Sequence, residues 1–247
     1  YMDMTESRFD FESGAASRTV SMSTNLSFWN VLEKPSWVSV SPESGEAGEH
    51  TLTINVEDNP NTTKREGRVV VGNQGLSLAD TLWVTQEGKS FGPLETVLQF
   101  ENVASSNTLD ISTDGDWTVT TSDGWITVAP SSGHGNGQVT VTVEANETDN
   151  ERTGLLSVAV GGTVQYVNVV QKGRYFTIDR GPSASLPSKG GTIELGIATN
   201  QAWTAAVKNQ SSWLALSATQ GQGDAKLVIS AQDNSSLESR TDTIVFT

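Results

Sequence analysis

The residues of this chain best equipped for chemistry are a run of aspartates around a glycine, two histidines, and three arginines that recur at intervals of 87 and 88 residues, Arg65, Arg152 and Arg240. Asp110, Asp114 and Asp116, with Gly115 among them, have the spacing that opens a calcium loop, in which alternate carboxylates converge on a hard cation. The bidentate Glu such a loop needs downstream is missing and the segment leads into a strand pattern, so turn chemistry is the better reading. His50 and His134 are the only histidines. They are placed in equivalent loops, without a metal or nucleophile motif and without an acid in helical i+4 register. Glycoside hydrolysis uses two carboxylates about 5–10 Å apart, and a pair carried by every copy of a repeat should show as aligned acids. Glu57 and Glu144 align, but their third counterpart is Gln232. The pattern points away from an enzyme, with no cofactor and no metal. The arginines follow Asn-containing turns, where a guanidinium satisfies carbonyl groups.

The arginine interval belongs to a repeat of the whole sequence. Trp37, Trp125 and Trp213 are 88 residues apart, and so are Gly45, Gly133 and Gly221. A period this long exceeds the units of solenoids and suits a small domain with its own core. Three homologous domains are expected at 8–88, 95–173 and 174–247.

The second copy shows the elements most clearly. Leu98 and Phe100, Leu109 and Ile111, Trp117 and Val119, Ile126 and Val128, Val139 to Val143, Leu156 to Val160, and Val167 and Val169 alternate with polar or small residues. That is a period of two in seven segments, separated by turn signals such as DGD at 114–116 and SSGHGNG at 131–137. No segment carries a helical apolar stripe. The expected fold is all-β, three tandem immunoglobulin-like sandwiches of about seven strands each. After Arg240 only seven residues remain, so the third copy lacks its last strand, and the natural chain is expected to continue past Thr247.

The stretch WTVTTSDGWITVAP at 117–130, the glycine-rich turn after it, Asn146 followed by Arg152, and the closing Val169-Val170-Gln171 together resemble the BACON domain (Bacteroidetes-associated carbohydrate-binding, often N-terminal). The first copy matches with Trp29, Trp37, Pro42, Gly45, Asn59, Arg65 and Gln86. The third matches with Trp203, Trp213, Gly221, Asn234 and Arg240, and departs with Ala218 where proline is usual. The resemblance implies a bacterial cell-surface or periplasmic module, non-catalytic, acting in carbohydrate binding or adhesion. Its rival is a structural spacer that projects another domain from the membrane.

A sugar-binding role asks for exposed aromatic faces. The paired tryptophans of each copy (29 and 37, 117 and 125, 203 and 213) fit core or end-plug positions, as repetition in every copy suggests. Trp83 is different. It aligns with Asn168, and its neighbours Leu82 and Val84 are the inward pair, so strand parity sends it to the outer face. Tyr166 is outward by the same rule. Phe91 and Tyr175 lie at the two linkers, where junction packing is the competing role. These four are the candidate ligand-binding residues.

Composition narrows the partners. The formal charge is −14. By segment it is −7 over residues 1–88, −7 over 89–173 and zero over 174–247, so no basic face is available for nucleic acid or anionic membranes. A polysaccharide or other domains of a longer chain fit better. There is no cysteine, so packing alone holds each domain. No apolar run is long enough to span a bilayer. An extracellular or cell-surface location is expected, with an export signal or lipid anchor upstream. The linker at 172–174 is shorter than that at 87–94, so the junction between the second and third copies is expected to be the stiffer.

Overall fold

The computed structural model describes residues 1–247. The chain forms two compact units, residues 1–98, 106–142 and 154–168 in the first and 99–105, 143–153 and 169–247 in the second. It is all-β apart from a single 3₁₀ turn, Gln74–Leu76. No helix is long and apolar enough to cross a membrane.

The first repeat contains nine strands: β1 (Met2–Met4), β2 (Arg8–Phe11), β3 (Ala16–Thr24), β4 (Trp29–Glu33), β5 (Val38–Ser41), β6 (Ser44–Gly45), β7 (Gly48–Val56), β8 (Arg65–Asn73) and β9 (Leu78–Gln86). They make two sheets, β1-β3-β7-β5 and β2-β9-β8-β4-β6. The second repeat contains β10 (Val97–Phe100), β11 (Ser105–Ile111), β12 (Asp116–Thr121), β13 (Ile126–Ala129), β14 (Ser132–His134), β15 (Gly137–Val143), β16 (Arg152–Val160) and β17 (Thr163–Gln171). Its sheets run β10-β17-β16-β12-β14 and β11-β15-β13. The third contains β18 (Phe176–Ile178), β19 (Gly191–Thr199), β20 (Ala202–Val207), β21 (Leu214–Leu216), β22 (Gln220–Gln222), β23 (Ala225–Ala231) and β24 (Ile244–Phe246), in sheets β18-β19-β23-β21 and β22-β20-β24. Each repeat is therefore a two-sheet, immunoglobulin-like sandwich.

The first two repeats exceed the expected seven strands: every repeat forms a short strand where a loop was expected, and the first adds β1. Gly45, Gly133 and Gly221 each lie on such a strand, paired with Trp29, Trp117 and Trp203 across the ladder. A Cβ at these glycines would come within 2.8, 2.3 and 2.5 Å of the indole Cζ2. The glycine recurs because the ring lies flat on its backbone. The three indoles are 0, 3 and 3 % exposed, and their Nε1 atoms donate to the carbonyls of Glu46, Gly135 and Gly223.

The second recurrent feature is a clasp at the sandwich end. Arg65 stacks its guanidinium 4.4 Å above the Trp37 ring, and Arg240 does the same over Trp213. Arg65 also donates to the carbonyls of Glu57 and Asp58 and, at 2.7 and 2.9 Å, to Gln86 Oε1. Gln86, fully buried, returns its amide protons to the carbonyls of Ser13, Gly14 and Glu57. Arg152 and Gln171 repeat this pairing with Glu101, Val103 and Glu144. Arg240 keeps only the two carbonyls, of Gln232 and Asp233. The aligned position 57, 144 and 232 is thus used through its carbonyl, which explains why Gln replaces Glu there.

In the first two repeats the inward aliphatic residues are sealed: Leu52, Ile54, Val69, Val71, Val139, Val141, Leu156 and Val158 have no exposure. In the third, Ile193, Ile229, Ile244 and Phe246 are only half-buried. They line an open cleft of about 930 Å³ together with Ile178 and Leu214.

Within the first unit the stretch after β9 is held at several points. Asp114 accepts the Ser13 hydroxyl at 2.5 Å on one oxygen, and the N–H and hydroxyl of Ser90 at 2.5 and 2.8 Å on the other. Thr113 donates to Ser90 O, Gln165 to Gly92 O, and Thr62 N–H to Gly161 O. Within the second unit Asn200 bridges Gly173 O and Tyr175 N–H, and Arg174 N–H donates to Thr148 O. Both connections are hydrogen-bonded, so linker length alone does not rank their stiffness.

The histidine placement corrects the sequence expectation of equivalent loops. His50 is on β7, 5.0 Å from the Trp29 ring, whereas His134 is on β14 and bonds Asp116 at 2.7 Å. They differ because His134 follows Gly133 in the strand the sequence reads as a loop.

Candidate functional site

Strand β9 buries Leu82 and Val84 completely and sends Trp83 outward with 51 % of its surface exposed, which the period of two requires. Two neighbouring strands flank it. Arg8 of β2 is its partner in parallel register and Arg68 of β8 its partner in antiparallel register. Directly opposed residues share a sheet face, so the ring lies between two arginines whose Cα atoms are two strand spacings, roughly 10 Å, apart.

Each arginine is tied to a carboxylate. Arg8 Nε donates to Asp10 at 2.8 Å and its Nη2 to Thr85 at 2.7 Å. Arg68 grips both oxygens of Glu33 on β4, at 2.9 and 2.8 Å. The hydrogen bond from Arg8 holds the Asp10 carboxyl below its usual range, and that from Arg68 does the same for Glu33. Both acids are ionised at neutral pH. All four charged side chains remain at least half exposed. The outer face of this sheet therefore carries one aromatic ring between two solvent-facing ion pairs.

The other candidates are placed apart from this face. Tyr166 is on β17, 58 % exposed, with exposed Val164 two residues before it on the same side. Phe91 is half-buried and forms an isolated bridge with Thr113. Tyr175 is 45 % exposed and receives the Thr199 hydroxyl on its carbonyl. None of the three lies between arginine–carboxylate pairs like those around Trp83. The aspartates of the calcium-like spacing turn to three separate tasks: Asp110 accepts from Gln138, Asp114 from the serines, and Asp116 pairs with His134.

Arg8, Asp10, Arg68 and Glu33 went unmarked in the sequence. The hairpin register from Arg65–Gln86 was enough to place Arg68 opposite Trp83. Arg8 arrives by a parallel pairing between segments 75 residues apart, for which no local signal exists.

Family models match each repeat. The model described as a viral BACON domain covers residues 93–174, and the BACON model, described as a putative binding domain, N-terminal, covers 27–87 and 201–247. A curated relative, the xyloglucan-specific endo-β-1,4-glucanase BoGH5A of Bacteroides ovatus, is 32 % identical over 78 residues, 32 % of this chain and 16 % of its own length. Among solved structures, a Bacteroides ovatus GH5 xyloglucanase with a XXXG heptasaccharide aligns at 30 % identity and TM-score 0.33, over 35 % of this chain and 19 % of that one. The I9–I11 tandem of titin aligns over 99 % of this chain and 97 % of its own at 8 % identity and TM-score 0.42. This chain thus spans less than a fifth of the xyloglucanase it matches. The chain is of the BACON type, matched twice by the BACON model and once by the viral BACON model.

Proposed function

We propose that this protein is a non-catalytic carbohydrate-binding accessory protein of the bacterial cell surface, and that the Trp83 face is its contact with the glycan. The observation that carries this reading is the half-exposed Trp83 ring, which packs no core and has Asn168 as its counterpart in the second repeat. An aromatic face offers apolar area to the C–H face of a pyranose while charged neighbours reach its hydroxyls. The putative binding domain description and the kinship to part of a xyloglucanase support a polysaccharide partner. Native gels cast with xyloglucan or other soluble glycans test it: Trp83→Ala should abolish retardation while leaving the melting temperature unchanged, because an outward ring contributes little to the core. Retardation that survives in Trp83→Ala refutes the site.

A second reading, a spacer that holds further domains away from an anchor in the membrane, is favoured by the hydrogen bonds around Asp114, which tie Ser13 to a residue 101 positions later. A spacer tolerates loss of Trp83 and fails on loss of Asp114.

A further inference from the structure

We infer that the Trp83 face selects a neutral, hydroxyl-rich glycan and excludes carboxylated or sulfated ones, with the Arg8–Asp10 and Arg68–Glu33 pairs acting as fixed donor–acceptor forks on either side of the ring. The inference rests on the binding role proposed above and adds the chemical class of the ligand.

Each guanidinium spends only part of its hydrogen-bonding capacity. Arg has five N–H donors. Arg8 uses Nε and one Nη, on Asp10 and Thr85, and Arg68 uses Nε and one Nη on the two oxygens of Glu33. Each arginine keeps N–H groups free toward solvent, and each carboxylate keeps lone pairs free beside them. A fork of this kind presents a donor next to an acceptor. A sugar hydroxyl, which both donates and accepts, satisfies both halves. A sulfate or carboxylate, which only accepts, meets the donor and is repelled by the acceptor.

Charge points the same way. The two pairs sum to zero, and the arginines that would attract an anion are already neutralised by ionised acids. An anion that takes the free N–H groups comes to rest beside a carboxylate held at 2.8 Å on the same guanidinium and is repelled by it. Beyond the face lies a chain of net charge −14, which repels a polyanion at any separation that salt does not screen. Geometry matches a chain ligand as well. The Arg8 and Arg68 backbones flank Trp83 at two strand spacings, about 10 Å apart, so a glycan lying across β2, β9 and β8 meets donor–acceptor, aromatic and donor–acceptor groups in succession.

The test uses two backbone-matched pairs of polymers, hydroxyethyl cellulose with carboxymethyl cellulose and dextran with dextran sulfate, in native affinity gels at physiological ionic strength. Wild-type protein should be retarded by a neutral polymer at least about tenfold more strongly than by its anionic match. Trp83→Ala should lose both. Asp10→Asn with Glu33→Gln, which frees both arginines, should shift the ratio toward the anionic polymer by about tenfold or more. Both pairs are exposed, so this double variant should fold, as far-UV circular dichroism would verify. Wild-type preference for the anionic polymer, lost in Trp83→Ala, overturns the inference and leaves the binding site standing. An unchanged ratio in the double variant overturns it too. Failure of all four polymers to retard the wild type, or retention of binding in Trp83→Ala, overturns the site and the inference together.

Discussion

The Asp114 carboxylate accepts the Ser13 hydroxyl at 2.5 Å across 101 residues of sequence, while its other oxygen takes two hydrogen bonds from Ser90. Burial opposes ionisation of this acid, but the Ser13 and Ser90 hydroxyls and the Ser90 N–H outweigh it and hold the pKa at about 2. A carboxylate whose pKa is lowered on folding stabilises above its unfolded value, near 3.9, and loses that contribution as pH falls through the folded one. The contact should therefore be intact from neutral pH down to about 4 and weaken toward about 2. Spin labels at the exposed Thr19 and Thr108 report it: Asp114→Ala should broaden their distance distribution at pH 7 with the melting temperature nearly unchanged. Identical distributions in wild type and variant would show that the carboxylate holds nothing.

Gly133→Ala should be far more damaging than Gly124→Ala. An added Cβ at Gly133 falls 2.3 Å from Trp117 Cζ2, and the ring cannot retreat because its Nε1 is bonded to Gly135 O at 3.0 Å. At Gly124 nothing lies within 4 Å. Overpacking of this kind costs about 1–3 kcal/mol, whereas an open-surface change stays within about 0.5 kcal/mol. Urea unfolding of the two variants measures the difference, and equal midpoints would disprove the packing explanation of the glycine repeat.

The clasp yields a sharper contrast between two residues that a sequence alignment treats alike. Gln86→Leu removes three bonds from a fully buried amide to carbonyls and leaves Arg65 Nε without its partner, so a loss of about 2 kcal/mol or more is expected from groups left unsatisfied. Glu57→Gln keeps the carbonyl that Arg65 and Gln86 use and should change stability by less than about 0.5 kcal/mol. Thermal unfolding of both variants checks this. A Glu57→Gln loss comparable to that of Gln86→Leu would mean that the side chain, not the backbone, is the working part.

These contacts show what the sequence made legible. Strand parity placed Trp83 outward and Trp117 inward because each depends only on the residues beside it. Arg65, Arg152 and Arg240 serve turn carbonyls, as their Asn-containing turns suggest, but the tryptophan beneath Arg65 comes from a turn 28 residues away and the glutamine beside it from a strand 21 residues away. The 88-residue register of Trp37, Trp125 and Trp213 with the arginines was the available clue. The strand formed by Ser132–His134 was misread because its glycine suggests a loop, when that glycine is there to admit an indole. Asp114 reads from its neighbours as a turn residue, because Ser13, from which it accepts, lies in another repeat. The arginine–carboxylate pairs around Trp83 have a different origin: β2 and β4 join the β8–β9 hairpin only in the folded sheet, by pairings that no local signal announces.

The third repeat should be the first to open. Its inward residues Ile193, Ile229, Ile244 and Phe246 are half-buried beside a cleft of about 930 Å³, whereas Ile54, Val69, Val71, Val141 and Val158 in the other repeats are sealed. Each aliphatic side chain fully withdrawn from water contributes roughly 1.5–3 kcal/mol, so several partly exposed ones leave this sandwich markedly weaker. Local stability tracks such differences and is read by amide exchange. Amides of β19 and β23 should exchange faster than those of β3 and β7 or β11 and β15, and calorimetry should show an early transition that Leu227→Ala lowers further without moving the later ones. Equal protection across the three pairs of strands would mean that the cleft is closed in solution, and the half-buried residues would then have to be packed against a segment that covers them.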